Sequence, residues 1–191
     1  LDEDAIVFTT APGNEPRRGT SWVDADLYWN GGPMPRTAQH GSAVINIYDL
    51  TPRARAQFVA NFLDALLAVP KSLWRPLLVI VDEAQDFAPE GGKSVSEASM
   101  ATFSAQARKR GFCPVYATNR ISMISKNAVA GIRNYLVGAA ALDADNKRAC
   151  KYLGFGQAGA KDLKLMPPGE FFSFGPALTK VVTRVRVGMV R

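Results

Sequence analysis

Histidine and cysteine are scarce in this sequence of 191 residues. His40 is the only histidine, and Cys113 and Cys150 are the only cysteines. One histidine excludes a histidine-rich metal site and argues against a Ser-His-Asp triad. Two cysteines without C-x-x-C spacing make neither a disulfide framework nor a zinc site, and a reduced, cytoplasmic setting is the simplest expectation. Any chemistry of this chain must therefore rest on carboxylates, amides and cations.

Long apolar runs are also missing. No stretch approaches the roughly 18 apolar residues that a membrane-spanning helix needs, and the N-terminus has no signal-peptide pattern. A hydrophobic content of 47% and a charged content of 21% are ordinary for a globular protein. Length and composition predict one domain with a sizeable core and no membrane segment.

The third absence is a phosphate-binding loop of the pattern G-x-x-x-x-G-K-[ST]. The one similar string, Gly91-Gly92-Lys93-Ser94, has Phe87 where the first glycine should stand, and no strand leads into it. We interpret this string as a loop that ends in a helix cap. Because the first residue is leucine and not methionine, we expect a longer parent whose upstream part holds a phosphate loop. The chain would then carry half of a nucleotide site.

The most informative stretch that is present covers residues 77–85 and reads LLVIVDEAQ. A Leu/Val/Ile run without alternation is typical of a strand covered on both faces of a parallel sheet, and ligands of such sheets lie at the carboxyl ends of the strands. Asp82 and Glu83 stand at that end. Two adjacent carboxylates there cost desolvation free energy unless a cation or hydrogen-bond donors compensate. We therefore favour a functional site over an ordinary acidic turn.

The chain before this strand is predicted to become ordered gradually. Residues 1–42 are rich in proline and glycine, which predicts a mostly irregular arm with a short strand over 5–9. A strand over 43–48 leads to a helix that has Thr51 as its N-cap and ends before Pro70.

Residues 77–117 form one predicted β-α-β unit. The string Ser94-Val95-Ser96-Glu97 predicts a capping box that opens a helix, Gly111 ends this helix, and a strand over 113–117 follows. Because the two strands of such a unit are parallel, their carboxyl ends meet at one edge of the sheet.

The remaining chain predicts a strand over 134–138, a helix over 143–153, and strands over 170–174 and 180–187 that pair as a hairpin. Strands interleaved with helices predict an α/β fold of three layers, with a mostly parallel sheet and a C-terminal antiparallel hairpin. After the arm, we treat residues 43–191 as one core portion.

Basic residues outnumber acidic ones, which gives a net charge of +6 and a pI near 9.5. Several of them are clustered, among them Arg108-Lys109-Arg110 at the end of the β-α-β helix. Clustered cations suit contact with phosphate backbones. Solvated basic faces explain any single cluster equally well, so the charge alone does not establish a nucleic-acid partner.

Three features follow one another in a recognisable order. An apolar strand runs into Asp-Glu-Ala at residues 82–84, a helix closes on ARKRGF at 107–112, and a strand runs into ATNRIS at 117–122. Together they resemble the HerA/FtsK superfamily of hexameric DNA-pumping P-loop ATPases, and within it the HerA-like branch. The resemblance covers roughly residues 43–187 and implies a RecA-like core. Asn119 replaces the glutamine that is usual in this family, and the phosphate loop is missing.

The resemblance implies a role for each candidate residue. Asp82 would hold Mg²⁺ through water, and Glu83 would orient or deprotonate the attacking water. Asn119 would place an amide near the γ-phosphate, and Arg120 would help to bind the nucleotide. Arg108 would act as an arginine finger on a neighbouring subunit's nucleotide. A strand-end turn for Asn119, and a helix-dipole role for the basic cluster, remain open as simpler alternatives.

The resemblance also implies ATP and Mg²⁺ as cofactors. Its implied partners are double-stranded DNA, further copies of the chain in a hexameric ring, and a nuclease. The chain would then be part of an ATP-driven DNA translocase or helicase, and it would be inactive alone because it lacks the phosphate loop.

Two other interpretations remain open. The string VDEAQD at residues 81–86 also occurs in superfamily 1 helicases, and DEAQ occurs in superfamily 2, but both need a large second RecA-like domain and only about 70 residues follow Asn119. The other interpretation is a non-catalytic module that keeps the fold for assembly or nucleic-acid binding. The missing phosphate loop favours that module, and the retention of both Asp82 and Glu83 argues against it.

Overall fold

The computed structural model describes residues 4–9, 20–24 and 42–188. The described residues divide into two compact units. The first unit draws on residues 1–118 and 123–131, and the second on residues 119–122 and 132–191.

A parallel sheet of five strands forms the centre of the first unit. Across the sheet the strand order is β2-β3-β1-β4-β5, and all four pairings are parallel. The strands are β1 (Asp4–Thr9), β2 (Thr20–Asp24), β3 (Ser42–Asn46), β4 (Leu77–Val81) and β5 (Phe112–Tyr116). Because Val81 pairs with Phe8 on one side and with Tyr116 on the other, the carboxyl ends of β1, β4 and β5 lie at one edge of the sheet.

The helices of the first unit pack on this sheet through apolar residues at helical spacing. Val59 and Leu63 in the first helix, and Phe103 in the third, are completely buried in one core with Val79 of β4. The helices are α1 (Pro52–Ala68), α2 (Ala84–Phe87), α3 (Glu97–Gln106) and α4 (Lys126–Val129), and short 3₁₀ turns span Lys71–Leu73 and Ala107–Arg110.

The predicted start of α1 is confirmed. Thr51 is the N-cap, its hydroxyl oxygen accepts a hydrogen bond from the backbone N–H of Ala54 at 3.4 Å, and Pro52 is the first helical residue. The helix ends at Ala68, before Pro70.

The predicted capping box at the start of α3 is wrong. The N-cap is Ser96, whose hydroxyl donates to the carbonyl of Phe87 at 2.6 Å. Glu97 does not turn back to the chain before the helix, because its carboxylate accepts a hydrogen bond from the hydroxyl of Ser125, the N-cap of α4, at 2.6 Å. A tertiary contact has replaced the local one.

The end of the α3 segment is as predicted. Gly111 has a φ of 83°, in the left-handed region, and a side chain there would lie 2.7 Å from the carbonyl oxygen of Arg75. The carbonyl of Gly111 accepts a hydrogen bond from the N–H of Leu77 at 3.2 Å, so this turn also fixes where β4 and β5 begin to pair.

Two strands precede residue 42. The predicted strand over 5–9 is confirmed as β1, whereas β2 was not predicted. The local sequence of this proline- and glycine-rich segment does not indicate a strand. Its pairing with β3 explains why β2 forms. The remainder of the predicted arm, residues 1–3, 10–19 and 25–41, lies outside the described residues.

The second unit contains an antiparallel sheet in the order β6-β7-β8. Its core includes Leu153, Leu163 and Phe172, with the ring of Phe155 packed edge-on against Phe172 at 4.9 Å between centroids. The elements are β6 (Tyr135–Val137), α5 (Asp143–Leu153), α6 (Gln157–Lys164), β7 (Glu170–Phe174) and β8 (Thr183–Arg186). The antiparallel hairpin and α5 are as predicted, but the second strand of the hairpin covers only Thr183–Arg186 and not 180–187, and α6 was not predicted. Among the helices that the structure describes, none has the length and apolar character to span a bilayer.

Candidate functional site

The segment after β4 is bonded to the end of β5. The N–H of Ala117 donates to the carbonyl of Val81 at 3.0 Å, and the N–H of Ala84 donates to the carbonyl of Ala117 at 2.9 Å. These two bonds enclose Asp82 and Glu83 at the carboxyl edge of the sheet. The predicted location of the carboxylates, at the tip of a parallel strand, is therefore what the structure shows.

Glu83 has a strained backbone. Its φ of 49° and ψ of 45° place it in the left-handed region, and it is the only non-glycine with positive φ among the described residues. This conformation costs a residue with a side chain roughly 1–2 kcal/mol. The N–H of Glu83 donates to the Asp82 carboxylate at 3.0 Å, and its carbonyl accepts from Asp86 at 2.9 Å, which holds the turn. Strain of this kind in a residue other than Gly, Asn or Asp points to a functional position.

Gln85 links the Glu83 carboxylate to the end of β5. Its amide nitrogen donates to Oε2 of Glu83 at 2.6 Å, and its amide oxygen accepts from the hydroxyl of Thr118 at 2.5 Å. Sequence reasoning did not assign a role to Gln85 or Thr118. The available signal was the position of both residues at adjacent tips of two strands that were predicted to be parallel.

A third carboxylate, that of Asp86, lies close to Glu83, and a cation lies close to Asp86. Burial raises the pKa of Asp86, the charge of Glu83 raises it further, and the charge of Arg55 opposes both. Arg55, in the first turn of α1, donates its Nε to the carbonyl of Ile47 at 3.0 Å and its Nη2 to the carbonyl of Tyr48. The guanidinium therefore ties the chain after β3 to α1 and supplies positive charge near the carboxylates. Neither Asp86 nor Arg55 was among the predicted site residues.

The side-chain oxygens at this edge of the sheet would supply only part of the ligands that a magnesium ion needs. Among the residues whose side chains the structure describes, no group of three or more His, Cys, Asp or Glu side chains is arranged to hold a metal. Mg²⁺ is commonly bound by one or two carboxylates, with water and substrate phosphate oxygens completing its shell. Asp82 fits that type of site through water, since its carboxylate would hold the water shell of the ion and leave the other positions to water and phosphate.

Arg120 and Asn119 belong to the second unit. The Nε of Arg120 lies 3.3 Å from the carboxylate of Asp145, which is 2% exposed and also accepts the N–H of Ser122 at 2.8 Å. Burial by itself raises the pKa of Asp145, but the hydrogen bonds from Ser122 and the charge of Arg120 together hold it below its ordinary value. Arg120 therefore takes part in a structural ion pair. Asn119 directly follows Thr118 in the chain. The roles expected for Asn119 and Arg120 at a nucleotide stay predictions.

Arg108 lies at the opposite end of the sheet from Glu83. It precedes β5, whereas Glu83 follows the parallel strand β4, so a strand of five residues, roughly 16 Å long, separates their levels. Arg108 is exposed, while Arg110 donates to the carbonyl of Leu67 at 2.9 Å and lies over the ring of Trp74. Arg108 thus cannot reach Glu83 within the same chain, and Arg110 has a structural role.

The outer edge of β5 has no partner among the described strands. The carbonyl of Gly111 and the N–H of Ala117 face β4, so by alternation the backbone groups of Phe112, Pro114 and Tyr116 face away from it. Pro114 lacks an N–H, so this outward edge offers one backbone hydrogen-bond donor fewer to a neighbouring strand.

Comparison with solved structures identifies the fold. The genome-packaging NTPase B204 from Sulfolobus turreted icosahedral virus 2, in complex with AMPPCP, is similar over 99% of this chain and 84% of that chain, with a TM-score of 0.66 and 11% identity. The same NTPase in complex with sulfate has a TM-score of 0.64 and 12% identity over 100% of this chain and 84% of that chain. The bacterial conjugative coupling protein TrwBdeltaN70 has a TM-score of 0.60 and 14% identity over 84% of this chain, which spans only 45% of that protein.

No protein-family model matches the sequence, and no curated protein sequence matches it. At identities of 11–14%, the structural similarity establishes the fold alone. The chain has the α/β fold of these NTPases. The predicted fold class is confirmed.

Proposed function

We propose that this chain supplies the metal- and water-binding half of an ATP-hydrolysing site in a motor that moves DNA. The observation that carries the proposal is Glu83, whose strained backbone and bonded carboxylate stand beside Asp82 at the carboxyl end of β4. The fold shared with a viral packaging NTPase and a conjugative coupling protein supports a DNA-moving motor over other P-loop enzymes.

Each site residue has a chemical role in this proposal. Asp82 would hold Mg²⁺ through water, and the ion, when bound, would supply charge that offsets the negative charge of the phosphates. Glu83 orients a water for in-line attack on the γ-phosphorus and accepts its proton. Asn119 donates its amide N–H to a γ-phosphate oxygen, and Arg120 assists nucleotide binding if it leaves Asp145.

The phosphate-binding half must come from a segment that the 191-residue sequence does not contain. We propose that this segment adds a parallel strand to the outer edge of β5, because that edge is unpaired within the described sheet and ends beside the carboxylates. A loop at the carboxyl end of the added strand would lie at the same edge as Asp82 and Glu83. Pro114 removes only one donor from this pairing.

The assembled motor is proposed to be a ring, hexameric as the resemblance implies, that acts on double-stranded DNA in the cytoplasm with a nuclease as a possible partner. The position of Arg108 supports a ring, because an exposed cation at the far end of the sheet can serve a neighbouring subunit and not its own. The net charge of +6 suits a nucleic-acid partner.

The first test is ATP turnover by the chain alone. We expect no appreciable steady-state phosphate release, because the 191-residue sequence contains no loop that wraps backbone N–H groups and a lysine around the phosphates. Robust turnover that Glu83→Gln abolishes would show that the chain holds ATP without a separate loop. In the complete protein, absence of any turnover would favour the non-catalytic module.

The second test concerns Arg108 in the complete protein. Arg108→Ala should assemble and bind nucleotide but lose on the order of 10³-fold or more in turnover, because a finger stabilises transition-state charge. Mixing it with Glu83→Gln should restore some activity, since a mixed ring can pair an intact Glu83 with an intact Arg108 from the next subunit. The neighbouring Lys109→Ala is the matched control. Parental turnover by Arg108→Ala would assign the basic cluster to the helix dipole instead.

A further inference from the structure

The side chain of Gln85 connects Glu83 to the end of β5. Within the first unit, the hydroxyl of Thr118 donates to Oε1 of Gln85, and Nε2 of Gln85 donates to Oε2 of Glu83. Thr118 follows the last residue of β5 by two positions, so this path joins the tip of one strand to Glu83 at the tip of the next.

The polarity of the path depends on its two ends. A carboxylate can only accept hydrogen bonds, so the amide of Gln85 must present its nitrogen to Glu83 and its oxygen to the other side. The Thr118 hydroxyl donates to that oxygen and therefore favours the orientation that Glu83 needs. Loss of this hydroxyl would remove that preference on the β5 side.

We propose that Gln85 is a positioning residue, which fixes the plane of the Glu83 carboxylate. Through Gln85, the orientation of this carboxylate depends on the position of Thr118. Holding Oε2 restricts rotation of the carboxylate and so sets the direction of its other oxygen toward water. This inference rests on the proposed function and adds a regulatory path to the same site. Any ligand contact that displaces the chain at Thr118–Asn119 would loosen or reorient Glu83.

The geometry favours this role over a purely structural one. Gln85 is only partly buried, and it holds Glu83, the one described non-glycine residue that the fold keeps in a left-handed conformation. A hydrogen bond between partly exposed side chains contributes little net stability, because in the unfolded chain water takes the place of each partner. Its larger effect is on orientation, where a misplacement of about 1 Å can cost on the order of 10²-fold in rate.

The test on the chain itself is the ¹³C chemical shift of the Glu83 carboxyl carbon. Thr118→Val, which removes the hydroxyl and keeps the shape, should change this shift in the parent but not in a Gln85→Leu background. Thr118→Ser, which keeps a hydroxyl, should leave the shift near its parental value. Gln57→Leu is the matched control, since Gln57 makes a similar amide hydrogen bond to Asn61 on the exposed side of α1.

Several results would overturn the path. One is a Thr118→Val shift change of the same size with and without Gln85, which would mean that Thr118 acts on Glu83 by another route. Another is a Glu83 carboxyl shift that Thr118→Val does not change at all. Gln85→Leu alone must also move the Glu83 signal, so the path remains testable if Thr118→Val does not fold.

The complete protein gives the kinetic readout. Thr118→Val and Gln85→Leu should each lower kcat by on the order of 10-fold or more with little change in KM for ATP, and Thr118→Ser should rescue kcat. An equal loss of kcat for Thr118→Ser and Thr118→Val would contradict the path. Failure of the proposed function would be distinguishable, because the carboxyl shift would still respond to Thr118 while no variant, nor the parent, hydrolysed ATP.

Discussion

At the scale of single residues, the account depends on the backbone of Glu83. Its left-handed conformation turns the chain sharply between β4 and α2 and is held by hydrogen bonds to Asp82 and Asp86. A glycine would adopt this conformation without strain. A glutamate in this conformation lowers the stability of the fold but places a carboxylate at a defined position, as is typical of functional sites.

The strain predicts an unusual order of stabilities. The free energy of unfolding of Glu83→Gly should be about 1 kcal/mol higher than that of Glu83→Ala. The reason is that glycine relieves roughly 1–2 kcal/mol of backbone strain, whereas its flexibility in the unfolded chain costs only roughly 0.5–1 kcal/mol. Both variants lose the hydrogen bond from Gln85, so their difference isolates the backbone. Urea unfolding at equilibrium measures it. An alanine variant as stable as the glycine variant would show that the turn carries no strain.

The sequence identified the two carboxylates but not the residues that hold them. Asp82 and Glu83 were predictable because an uninterrupted apolar strand must end at the sheet edge, whatever surrounds it. Gln85, Thr118, Arg55 and Asp86 were missed because their roles depend on side-chain contacts across elements. No local pattern encodes the positive φ of Glu83, since that residue type rarely adopts it.

At the scale of elements, strong local sequence patterns predicted helices and strands correctly, and weak patterns did not. The bounds of β4 and α5 were predicted to the residue, because a continuous apolar run and a sharp helical pattern leave few alternatives. The start of α3 was misread because Glu97 contacts Ser125 and not its own helix end. Short elements such as β2 and α6 have little pattern of their own, and pairing or packing decides them.

At the scale of the whole molecule, the division into two units was not predicted. The unit boundary cuts between Thr118 and Asn119, directly after the strand tip that bonds to the Glu83 site. Roles that join Asn119 or Arg120 to that site therefore rest on the proposed function. The Asp82–Glu83–Gln85–Thr118 arrangement belongs to the first unit alone.

The most direct test of the account is to locate a divalent cation and nucleotide on the chain. Mn²⁺ with ATP at millimolar concentration should broaden the backbone amide NMR signals of residues 82–85 and 117–118 most strongly, because Mn²⁺ takes the oxygen ligands of Mg²⁺ and half a site retains weak affinity. Asp82→Asn should weaken this broadening, and Asp162→Asn, an exposed acid of the second unit, should not. Broadening that centres elsewhere, or that Asp82→Asn leaves unchanged, would contradict the assignment of this sheet edge as a nucleotide half-site.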